Sequence, residues 1–78
     1  MSELLALKEG DAVVISDGVL KLQGIVRMAS LNHRSLIVTF DGMIGGFLGS
    51  IPLLWTEDEG YGDVFVNQRY QLERSSIQ

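Results

Sequence analysis

No helical period is sustained anywhere in this chain of 78 residues. Apolar residues come instead in short runs rich in Val, Ile and Phe, separated by Gly, Asp, Asn and Ser, which is the pattern of strands joined by tight turns. Ala12 to Ser16 reads as a first strand, and Asp17-Gly18 is a dipeptide that supplies positive φ in a turn. A second strand runs from Val19 to about Ala29, with Leu20, Leu22, Val26 and Met28 on the inward parity and Lys21, Gln23 and Arg27 on the outward one. Gly24 shares the inward parity, where a missing side chain marks a bulge or a bend. Leu36, Val38 and Phe40 face inward from a third strand ending at Asp41-Gly42, and Ile51 to Trp55 form a fourth. Asp63 to Val66 and Arg69 to Glu73 make a closing hairpin through Asn67-Gln68. Five or six such strands close on themselves to hide their edges, so the expected fold is an all-β, antiparallel small barrel. Glu3 to Lys8 reads as a short N-terminal helical turn closed by Gly10, or equally well as an extended arm.

The length allows one domain, residues 1–78, with a core that yields only a few kcal/mol of net stability. Without cysteine there are no disulfides and no thiolate metal sites, so packing or a partner supplies the rest. MSELLALKEG lacks the basic flank, apolar stretch and cleavage site of a secretory leader, and a cytoplasmic protein with no membrane association is expected.

The net charge of −4 opposes a phosphate backbone, and Lys8, Lys21, Arg27, Arg34, Arg69 and Arg74 are scattered along the chain. Nucleic acid is therefore not the expected partner. His33 is the single histidine and lies between Asn32 and Arg34 in a polar loop, which leaves no histidine metal cluster. Glu57, Asp58, Glu59 and Asp63 lack the spacing of a twelve-residue calcium loop and read as a solvated acidic turn. No cofactor, metal or enzymatic activity is expected.

One stretch stands apart. Gly42 to Trp55, GMIGGFLGSIPLLW, holds four glycines and no ionisable side chain. Its G-x-x-G-G-x-x-G spacing follows a strand as phosphate-binding loops do, yet no Lys-Ser or Lys-Thr follows, and Pro52 opposes a helix after Gly49. Two readings compete. In one, Met43, Ile44, Phe47, Leu48 and Ile51 plug the barrel, with the glycines allowing positive φ. In the other, residues among Met43, Ile44, Phe47, Leu48 and Trp55 form an exposed apolar surface for a protein partner or a second copy of the chain.

Gly10, Asp11, Val13, Ile15, Gly18, Lys21, Gly24 and Val26, within GDAVVISDGVLKLQGIV, resemble the KOW motif of small SH3-like barrels. Val19 and Leu22 depart from that pattern, and the spacing before Gly24 is one residue short. The resemblance implies a five- to six-stranded SH3-like barrel. It also implies an alternative role on nucleic acid, ribosome or transcription machinery, for which Lys21, Arg27, Arg34 and Arg69 would supply the contacts.

Overall fold

In the computed structural model, which describes residues 7–30 and 34–75, the strands are β1 (Ala12–Ser16), β2 (Lys21–Ser30), β3 (Ser35–Ile44), β4 (Phe47–Thr56), β5 (Gly60–Asp63) and β6 (Arg69–Arg74). Each strand pairs antiparallel with the next, and β6 returns to β1, so the sheet closes into a six-stranded barrel. The expected turn or arm over residues 3–8 lies outside the described residues except for Leu7 and Lys8, and so does His33. Leu7 is buried in the core. No helix among the described residues is long and apolar enough to cross a membrane.

The barrel interior is filled by alternate residues of every strand, among them Val13, Ile15, Val26, Val38, Ile51 and Leu53, all fully buried. Gly24 marks the place where β2 passes from one neighbour to the other, since it stands opposite both Val13 of β1 and Phe40 of β3. A Cβ there would lie 2.5 Å from the Thr39 carbonyl oxygen and 2.8 Å from a Val38 methyl, so only glycine fits this corner.

The parity of β2 is not the uniform one expected. The ladder slips between Val26 and Met28, leaving Arg27 as an extra residue, and this bulge turns Met28 outward to 59% exposure. Leu20 is likewise exposed, at the β1–β2 turn, where the Asp17 carboxylate accepts hydrogen bonds from the N–H groups of Val19 and Leu20.

Two further boundaries differ from expectation. The third strand does not end at Asp41-Gly42, nor does the fourth begin at Ile51. Both run on through the glycine-rich stretch, and the only break is the two-residue turn Gly45-Gly46. At the other end of the sequence, Asp63 closes β5 instead of opening a strand, and residues 64–68 form the connection to β6.

Candidate functional site

The β3–β4 ribbon has a base and a tip. At the base, Leu36 to Thr39 pairs with Ser50 to Leu53 in regular register. The register then shifts, and pairing resumes with Met43 opposite Leu48 and Ile44 opposite Phe47. Gly42 and Gly49 flank the shift with φ of 133° and 82°, values an L side chain rarely adopts, which is why glycine recurs here. The turn places Gly45 directly over the buried Tyr70 hydroxyl, so closely that a Cβ on Gly45 would overlap it.

Because strand residues alternate, the tip has two faces. Ile44 points into the barrel and is 1% exposed, and Phe47 is half-buried against the core and against Phe65, ring centroids 5.8 Å apart. Met43 and Leu48 point the other way, 55% and 75% exposed. Of the residues expected either to plug the barrel or to lie exposed, Ile44 and Ile51 are inside and Met43 and Leu48 are outside, on opposite faces of one ribbon. Of the residues expected at the surface, Met43 and Leu48 are there, Phe47 is at its margin, and Ile44 and Trp55 are core residues. Trp55 is buried by inward parity in β4, and the Arg34 guanidinium lies 5.3 Å from its ring centroid.

Beside the tip, the β5–β6 connection displays Phe65 and Val66, 73% and 74% exposed, where a strand with an inward face was expected. A buried carboxylate holds them there. Asp63, 2% exposed, accepts hydrogen bonds from the N–H groups of Phe65 at 2.9 Å, Val66 at 2.8 Å and Gln68 at 2.9 Å. Burial pushes the Asp63 pKa up, but the N–H groups of Val66, Phe65, Gln68 and Asn67 outweigh it and hold the carboxyl below its ordinary value. Asp63 is therefore not part of a solvated acidic turn. Glu57, Asp58 and Glu59 are exposed on the β4–β5 turn, and Glu59 is paired with Arg69 at 3.1 Å. Among the described residues no three acidic or histidine side chains come together in a way that could hold a metal ion.

The four cations considered for nucleic acid stand in different settings. Lys21 begins β2 and Arg27 is at its bulge, both exposed. Arg34 stacks on Trp55, and Arg69 is engaged by Glu59.

A second apolar region was not anticipated. On the outer face of the barrel, Met28, Ile37 and Pro52 form one row across β2, β3 and β4, because Ile37 stands opposite both of the others. Leu54 and Val64 border that row, and together they line an open groove of about 370 Å³. The groove has no ionisable side chain in its wall. The signal lay in the runs Leu36-Ile37-Val38 and Ile51-Pro52-Leu53-Leu54, apolar on both parities, which demand cover on both faces of the sheet.

Comparison of the chain with family models, with curated proteins and with solved structures finds no match. The functional reading consequently rests on the geometry of these surfaces.

Proposed function

We propose that the chain is a non-enzymatic protein-interaction module, with a contact surface centred on the outer face of the β3–β4 tip. The observation that carries this reading is the cross-strand pair Met43–Leu48, held out to solvent by a ribbon whose other face is anchored in the core. Single exposed apolar residues are ordinary on any protein surface. Here a Leu, a Met, a Phe and a Val, each more than half exposed, belong to two connections that touch through Phe47 and Phe65. Folding has no need of these four in water, whereas covering them would remove apolar area from solvent, the main driving force of association.

The test is a photo-activatable group in place of Leu48, with the same group at exposed Asp58 on the β4–β5 turn as reference. In native cells position 48 should yield a discrete protein adduct, with another protein or a second copy, and position 58 should not. Absence of an adduct from position 48, or equal adducts from both positions, would reject the reading.

A further inference from the structure

Resting on that reading, we infer that the partner is a second copy of this chain, bound head to tail, with the Met43–Leu48 tip of one copy seated in the outer groove of the next. The two surfaces lie on one molecule and have opposite shapes. The groove formed by Met28, Ile37, Pro52, Leu54 and Val64 is concave, so its own likeness on another copy would not fill it. Leu48, three-quarters exposed beside a two-residue turn and paired across the ribbon with exposed Met43, is a convex apolar element able to enter the groove. The groove, open and about 370 Å³ in volume, has room for an inserted apolar side chain.

The tip cannot occupy the groove of its own molecule. Met43 lies six residues along β3 from Ile37, roughly 20 Å of strand, and the tip is pinned at its own end of the barrel by Ile44 and by the Phe47–Phe65 contact. At the centre of the row β3 is hydrogen-bonded on both sides, so it offers no edge to an added strand. The centre of the groove is therefore suited to side-chain insertion from another molecule.

Charge gives the same orientation. Asp41 is the only ionisable residue between Arg34 and Glu57, and it is exposed on the strand that carries Met43. Exposed Arg27 adjoins Met28 at one side of the groove. An entering tip brings its one carboxylate toward the Arg27 guanidinium, which favours this docking over tip against tip or groove against groove. A contact between unlike patches leaves a free tip and a free groove at the two ends, so assembly continues into a ring or an open filament.

Complementation of two variants tests this. Leu48→Ser disables the tip and Met28→Glu places a charge in the groove, and both sites are exposed, so each variant should keep the wild-type denaturant midpoint. In sedimentation, wild type should associate with rising concentration, each variant alone should remain monomeric, and an equimolar mixture should form a dimer and nothing larger. Loss of the hydrophobic insertion should weaken association by about tenfold or more. A monomeric wild type at millimolar concentration, self-association by either variant alone, or a mixture that stays monomeric would overturn the inference. A monomeric wild type that still yields a position-48 adduct with a different protein would do so while leaving the interaction-module reading intact.

Discussion

The β5–β6 connection and the β3–β4 tip display apolar side chains next to each other, but they hold them by opposite means. The first is organised around one buried carboxylate that gathers three main-chain N–H groups. The second has no polar organiser and depends on glycines in conformations closed to other residues, with Gly45 lying on Tyr70. A carboxylate-centred loop fails when its acceptor is lost or protonated, whereas a glycine-centred turn fails when volume is added. The two regions therefore respond to different perturbations, although both present the same kind of surface.

The largest effect is expected at Asp63. Asp63→Ala would remove the charged acceptor of three main-chain N–H groups, and at about 1.5–3 kcal/mol for each bond to an ionised carboxylate the loss should exceed about 3 kcal/mol in total. That is a large share of the stability of so small a domain, and the denaturant midpoint should fall steeply. Asp63→Asn is milder: one oxygen can still accept from Phe65 and Val66, but the amide N–H₂ would oppose the N–H of Gln68. The pH dependence has a fixed sign. The folded pKa of Asp63 is depressed, so its contribution is complete above the ordinary carboxylate value and is lost as pH falls through the lower, folded one. Asp11 and Asp17 are depressed as well, Asp11 chiefly by the N–H of Lys8 and Asp17 by that of Leu20. The Asp63 share is accordingly the difference between the acid-unfolding curves of wild type and Asp63→Asn, and curves that stay parallel through the acid range would refute it.

Next in size is the glycine turn. Gly45→Ala incurs the positive-φ cost and also drives a methyl into the Tyr70 ring and hydroxyl, for about 2–3 kcal/mol together. Gly46→Ala meets nothing within 4 Å and should cost only the backbone term, about 1 kcal/mol. The Tyr70 hydroxyl is buried with no hydrogen-bond partner among the described residues, and burial first, then Asp63 and Asp17, raises its pKa. Tyr70→Phe should thus be neutral or stabilising alone, and should recover part of the Gly45→Ala loss. Equal midpoints for Gly45→Ala and Gly46→Ala would show that the tip does not rest on Tyr70.

The same contrast explains how much was legible in the sequence. Alternation located β1, β2, β3, β4 and β6 and an all-β barrel, and Gly24 was recognised as a bulge or bend, because each of these depends on local pattern. It set the fifth strand at Asp63 to Val66, where the chain instead runs out of β5 into a connection. The course of β3 and β4 through Gly42 and Gly49 was not legible, since positive-φ glycines interrupt a strand's propensity without ending its pairing. The bulge at Arg27 reversed the side of Met28, a one-residue change that no alternation count detects. Asp63 looked like the last of four surface acids. Its difference from Glu57, Asp58 and Glu59 is its place at the end of β5, where the chain turns around its side chain. The outer groove was hidden because β3 and β4 are apolar on both parities, which conceals which face is the core.

The smallest stability effects should come from the displayed residues themselves. Leu48→Ser and Val66→Ser replace side chains that are already three-quarters in water, so little apolar burial is lost and midpoints should move by no more than about 0.5 kcal/mol. Phe65→Ser should cost slightly more, about 0.5–1.5 kcal/mol, because its ring also meets Phe47. Ile44→Ser, one step along the ribbon from Met43, should instead cost several kcal/mol, since that side chain is fully inside the barrel. Denaturant midpoints for these four variants divide the ribbon into its two faces. A costly Leu48→Ser with a harmless Ile44→Ser would invert the faces and remove the basis for a contact surface at the tip. The expected order, with association lost in Leu48→Ser at unchanged stability, assigns the inner face to folding and the outer face to binding.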